Sequence, residues 1–84
     1  MEFEEKVKQL LEAHYKEAEV EVDFAYGAVK LNGYVISPDF EGKEILERQK
    51  EIYGYLKREI GAEAKRISII FTYTPREFAL MNAA

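Results

Sequence analysis

The sequence predicts an α+β fold: a single domain over residues 1–84 in the order αββαβα, with helices packed on one face of a three-stranded mixed sheet. Three observations carry that expectation. The apolar period switches from three or four residues to two near Ala18. A second helical stripe separates two strand-like runs, and a helix-start signature follows the last of them.

The first helix is read from Phe3, Val7, Leu10, Leu11 and His14, with Glu4, Glu5, Lys8 and Glu12 on the opposite side. Ala18, Val20, Val22, Phe24 and Tyr26 then alternate with Glu19, Glu21, Asp23 and Ala25, as a half-buried strand requires. Gly27 suits a tight turn, and Val29, Leu31, Gly33 and Val35 resume the alternation, so Ala18–Tyr26 and Ala28–Ile36 read as an antiparallel hairpin. Gly33 inside the second strand is expected to mark a bulge. Ser37-Pro38-Asp39 ends that strand, because proline has no N–H for a ladder. Gly42 serves the turn into the next helix, with Phe40 as its apolar anchor.

The second helix is expected from about Lys43 to Ile60, its apolar stripe being Ile45, Leu46, Gln49, Ile52, Tyr53, Leu56 and Ile60. Gly61 is a natural stop. Gly54 inside the helix is unfavourable, which predicts a close backbone neighbour. Arg66–Tyr73 is the third strand, with Ile67, Ile69, Phe71 and Tyr73 on one face and Ile70 on a partly covered reverse face. Thr74-Pro75-Arg76-Glu77 has the form of a capping box with proline at the first helical position, opening a short helix to about Met81.

Composition limits the function classes. With 48% apolar and 13% aromatic residues the chain has the material for a core, so it is not a disordered chain. No apolar run approaches the roughly 20 residues of a spanning helix. The acidic start Met1-Glu2-Phe3-Glu4-Glu5 lacks a secretory pattern, so a cytoplasmic location is expected. The absence of cysteine removes disulfides, a thiol nucleophile and any Cys-ligated metal. Neither a phosphate loop nor Ser-His-Asp material is present, and non-enzymatic binding without a metal or cofactor is the expectation. Residues 1–23 carry a net −5 and residues 24–84 a net +1, which argues against nucleic acid as the main partner.

Beyond these patterns, Phe40-Glu41-Gly42-Lys43, Arg48-Gln49 before Ile52-Tyr53, Leu56, Ile67-Ser68-Ile69 and Tyr73-Thr74-Pro75-Arg76-Glu77-Phe78 resemble the BolA-like family. That family has a Phe-x-Gly before the helix and an Arg-His or Lys-Gln pair ahead of Val-Tyr. A Ser-Ile strand and Tyr-Thr-Pro-x-Glu-Trp complete its pattern. The match runs over residues 37–81 in register. The resemblance implies a fold similar to the type II KH domain and no catalytic activity. It also implies a monothiol glutaredoxin partner in iron–sulfur or stress-related physiology, and in some members DNA-binding regulation of transcription. In cluster-sharing members a [2Fe–2S] cluster is held by a His just before the third strand, with a second His or Cys from the loop between the first two strands. Here the strand-entry position is Lys65 and the loop is Tyr26-Gly27-Ala28, so neither position supplies an imidazole or thiolate. Cluster ligation of the family's usual kind is therefore not expected, and partnership through protein contacts remains.

Partner-surface candidates are Arg48, Gln49, Lys65, Arg66 and Tyr26. Gln49 interrupts the helical stripe where many relatives have His, and its ordinary reading is a rim side chain bonded to backbone. The alternative function, a nucleic-acid-binding regulator, would use Lys43, Arg48, Lys50, Lys57, Arg58, Lys65 and Arg66. Interleaved glutamates make a solvated helix face the plainer reading of that run, with Glu44 and Arg48 at favourable helical spacing. No Gly-x-x-Gly loop supports single-strand binding. His14, the lone imidazole, reads as a packed or rim side chain.

Overall fold

The computed structural model describes residues 1–24 and 29–83. It contains α1 (Phe3–His14), β1 (Glu19–Phe24), β2 (Leu31–Ile36), α2 (Ile45–Ile60), β3 (Ile67–Tyr73) and α3 (Pro75–Asn82), with 3-10 segments at Pro38–Phe40 and Gly61–Arg66. The expected hairpin turn at Tyr26-Gly27-Ala28 lies outside the described residues. Among the described residues, no helix is long and apolar enough to cross a membrane.

The sheet order is β1-β2-β3. β1 and β2 are antiparallel, whereas β2 and β3 are parallel, so α2 forms the crossover that a parallel pair needs. α1 packs on β1 and α2 on β3, which covers one face of the sheet. The core between them is built from Val7 and Leu11 of α1, Val20 of β1, Leu31 and Val35 of β2, Ile52 and Leu56 of α2, and Ile70 of β3. Phe40, the expected anchor, is buried at its centre and packs against Tyr15 with centroids 4.8 Å apart.

The turn from α1 into β1 is latched to the segment that ends β2. Ser37 Oγ donates to the Lys16 carbonyl (2.6 Å), and Lys16 N–H donates to Asp39 Oδ2 (2.7 Å). Glu17 takes a left-handed backbone there, φ 50°, an arrangement that needs such support in a residue with a Cβ. Gly61, at φ 59° and ψ −129°, closes α2 in a region only glycine enters readily.

Four expectations are corrected. In β3 the pairing jumps from Leu31–Ile67 to Asn32–Ile69, leaving Ser68 as an extra residue. A single extra residue reverses the alternation, so Ile67 and Ile70 are both buried against the helices while Ile69 and Phe71 emerge on the opposite face. Second, Gly33 is not a bulge in the hairpin: it pairs with Val22 in unbroken register, and the irregularity lies between β2 and β3. Third, the buried row of α2 is Arg48, Ile52, Leu56 and Ile60, and Ile45, Leu46 and Tyr53 are exposed. The helix is rolled towards Arg48 because a carboxylate outside the helix, that of Glu77, neutralises it. Fourth, no backbone approaches Gly54; a Cβ there would meet only Arg58 Nη1, at 3.9 Å. Gly54→Ala is therefore expected to stabilise the fold by about 1 kcal/mol, the helix-propensity difference. A denaturation midpoint below that of the native chain would contradict this placement.

Candidate functional site

α2 and β3 enclose a groove of about 450 Å³ beside the free edge of the sheet. Its floor is Ile52, Leu56, Ile67 and Ile70, and its walls are Gln49, Lys50, Tyr53, Gly54, Lys57 and Ser68. A second hollow of about 280 Å³ shares Tyr53 and Lys57 and adds Gly61, Ala62, Ala64 and Lys65. The floor is apolar because the α2 row at four-residue spacing meets the two isoleucines that the β3 irregularity turns inwards.

Two α2 side chains close part of the β3 edge. Gln49 Nε2 donates to the Ile70 carbonyl (2.8 Å), and Arg48 Nη1 lies 3.4 Å from the Thr72 carbonyl. The Tyr73 carbonyl, one residue on, accepts from Ser37 N–H, so the Ile70 and Thr72 carbonyls point to the outer edge. Capping these acceptors removes part of the template that an unpaired edge offers to another strand. Gln49 is thus the backbone-bonded rim side chain of its ordinary reading.

Arg48 is 4% exposed and fully engaged. Its guanidinium forms a bidentate pair with Glu77, Nη1 to Oε1 at 2.7 Å and Nη2 to Oε2 at 3.1 Å, while Nε donates to the Lys43 carbonyl at 2.9 Å. The group also lies 5.7 Å from the centroid of Phe40. The expected Glu44–Arg48 helix pair gives way to this bridge between α2 and α3. Glu77 also closes the capping box: Thr74 Oγ1 accepts from Glu77 N–H, and Glu77 Oε1 accepts from Thr74 N–H. One carboxylate therefore starts α3 and fastens it to α2. The Arg48 guanidinium, with the Thr74 N–H, holds the Glu77 carboxyl down at about 2.

The other cationic candidates separate into held and free groups. Lys43 Nζ donates to Glu51 Oε2 at 2.8 Å. The guanidinium of Arg66 covers Phe3 at 4.2 Å and stands 3.7 Å from Glu63. Lys50, Lys57, Arg58 and Lys65 are exposed and join no salt bridge among the described residues. Three of these four, Lys50, Lys57 and Lys65, border the two hollows. Burial and the neighbouring Glu51 push the Tyr15 hydroxyl well above its ordinary range. His14 is an exposed rim residue stacked on Tyr55 at 3.8 Å and 12°, and Tyr55 in turn donates to the Leu10 carbonyl. Tyr26 lies outside the described residues.

Solved structures share this architecture over nearly the full chain. The fold is similar to BolA1 from Arabidopsis thaliana, with TM-score 0.76 and 21% identity over 92% of this chain and 96% of that one. It is similar to a bolA protein homologue from Coxiella burnetii, with TM-score 0.73 and 26% identity over 94% and 99%. The BolA domain of SufE1 from Arabidopsis thaliana follows at TM-score 0.62 and 24% identity, over 88% and 93%. The chain has the BolA-like fold. No protein-family model and no curated protein sequence matches it.

The structure tests whether this BolA-like chain suits an iron–sulfur cluster of the kind its resemblance implies. Lys65, at the strand entry, is an exposed ammonium in the Gly61–Arg66 segment. An ammonium has no lone pair for iron. The lone imidazole, His14, is on α1 and stacked on Tyr55. Among the described residues no three His, Asp or Glu side chains converge on a metal position. The residues present do not fit the cluster.

Of the side chains singled out from the sequence, Gln49, Lys50, Lys57 and Lys65 border the two hollows, whereas Tyr53 and Ser68 were not among the candidates. Tyr53 belongs to the expected apolar stripe, and Ser68 becomes a wall only through the irregularity in β3. The usable signal was Arg48 itself: an arginine four residues before Ile52 and eight before Leu56 lies on their helical row.

Proposed function

We propose that this chain is a non-enzymatic BolA-like binding module, an adaptor for a protein partner, with a monothiol glutaredoxin the first candidate in iron–sulfur or stress-related physiology. The observation that carries the reading is the α2–β3 groove, an apolar floor rimmed by the unpaired cations Lys50, Lys57 and Lys65, on a BolA-like fold. An apolar centre with a charged rim is the composition of a protein-binding surface. A BolA domain also forms part of another protein, SufE1, in keeping with a module that works beside a second protein unit.

Titration calorimetry against a monothiol glutaredoxin, apo and cluster-loaded, tests the partner. Binding is expected with at least one form, and its absence with both would refute the glutaredoxin assignment. Because Lys65 replaces the family's imidazole, the visible absorption of a glutaredoxin [2Fe–2S] homodimer is expected to stay unchanged on addition of this chain. A nucleic-acid regulator would instead show affinity that falls steeply with salt. Lys43, Arg48 and Arg66 are engaged within the fold, which leaves Lys50, Lys57, Arg58 and Lys65 for such contacts.

A further inference from the structure

The sheet face turned away from α1 and α2 carries a second, differently charged surface. Residues paired across the sheet project to the same side. The register therefore sets Glu21, Tyr34 and Phe71 in one row and Asp23, Asn32 and Ile69 in the next. Phe71 is 49% exposed and Ile69 is 41% exposed. Tyr34 and Tyr73 are steadied by Phe78 of α3, whose ring centroid lies 5.3 Å from that of Tyr34 and 5.7 Å from that of Tyr73. Phe71 stacks near Tyr73 at 6.4 Å and 21°. Aromatic side chains ordered in advance lose little freedom when they are covered.

The chemistry of the occupant follows from the charge beside these rings. Glu19, Glu21 and Asp23 of β1 project on the same side, and none is paired with a cation among the described residues. No lysine or arginine occupies an outward position of the three strands on this face. A second copy meeting this face strand to strand would set these carboxylates against a surface whose strands carry no cation. A cationic segment with interspersed apolar residues satisfies both halves. Its alkyl groups cover Ile69 and Phe71, and its ammonium or guanidinium groups meet Glu21 and the ring faces. We infer that this open face is a docking surface for a basic, apolar-interspersed segment of a protein partner, on the opposite side of the sheet from the groove.

The probe is a capped heptapeptide, Lys-Leu-Lys-Leu-Lys-Leu-Lys, compared with its glutamate counterpart by proton–nitrogen NMR titration of the intact chain. The cationic peptide is expected to shift amides around Glu21, Tyr34 and Phe71, and the acidic one to leave them in place. Glu21→Gln should weaken binding about threefold, as loss of an exposed ion pair does. Phe71→Ser should weaken it about fivefold through lost apolar cover. Both side chains are exposed, and neither variant should alter glutaredoxin binding through the groove, so this surface and the proposed function fail or stand separately. The inference is overturned if no shifts occur, if they fall on Lys50 and Lys57 instead, or if the acidic peptide acts equally. A dimer in sedimentation that Phe71→Ser dissociates would also overturn it, by assigning the face to a second copy.

Discussion

Gly33→Ala is expected to cost about 3–5 kcal/mol, above the roughly 1–3 kcal/mol usual for overpacking because the clash is with backbone, and to lower the melting temperature by roughly 15–30 °C for a domain of this size. The reason is local and steric. A Cβ built on Gly33 would overlap the Glu21 carbonyl oxygen and stand 2.7 Å from Val22 Cα. Both are backbone atoms of the paired strand, so no side-chain rotation relieves the clash. β1 and β2 must part at the middle of their ladder, where Val22 pairs with Gly33. Thermal unfolding followed by circular dichroism measures the effect. A melting temperature within a few degrees of the native value would show that the strands are not this close. Gly54→Ala is the matched control, since the same added methyl has open space there.

The second large effect belongs to Arg48. Removing one partner of a buried ion pair costs about 3–5 kcal/mol. Glu77 is 44% exposed and can regain water when its partner is lost. Arg48→Ala is accordingly expected to destabilise by about 2–3 kcal/mol, combining the lost bridge with the lost cover over Phe40. Arg48→Lys should recover only part, because an ammonium cannot reproduce the fork that reaches both Glu77 oxygens and the Lys43 carbonyl. Full recovery by lysine in urea unfolding would reduce the bridge to simple charge.

The same pair sets an acid limb in stability. The Glu77 carboxyl is lowered from 4.5 to about 2 in the folded chain, chiefly by Arg48. A carboxyl whose folded pKa lies below its unfolded one contributes fully above the unfolded value and loses that contribution as pH falls through the folded one. The gap between the native chain and Glu77→Gln should therefore be widest near neutrality and close between pH 4.5 and about 2. A gap of constant width across that window would remove Glu77 as the titrating group.

How much could be read from sequence differs from element to element. The capping box at Thr74 and Glu77 was legible because each of its hydrogen bonds joins residues three apart. The hairpin strands were legible because Val20 and Val22 alternate with acids that water must reach. β3 was misread, since Ile67, Ile69, Phe71 and Tyr73 in alternation carry no mark of the extra residue at Ser68. α2 was misread for a related reason: leucine and isoleucine at its start, Ile45 and Leu46, outweighed an arginine in any hydrophobic count. Of the candidate site, Lys65 was located by comparison with a family pattern, whereas the groove wall at Tyr53 and Ser68 depended on both misread elements.

The sequence by itself therefore determined the order of elements, the capping box of α3, the glycine stop of α2, and the absence of thiol and imidazole ligands where a cluster would need them. All of these depend on contacts or spacings within a few residues. The tertiary structure alone decided which face of β3 and which row of α2 turn inwards. It also decided that Arg48 is an internal tie and that Ile69 and Phe71 are left in the open. Those outcomes rest on partners 24 to 29 residues away, Thr72 and Glu77 for Arg48, and on one unpaired residue in a parallel ladder. Local spacing has no term for either.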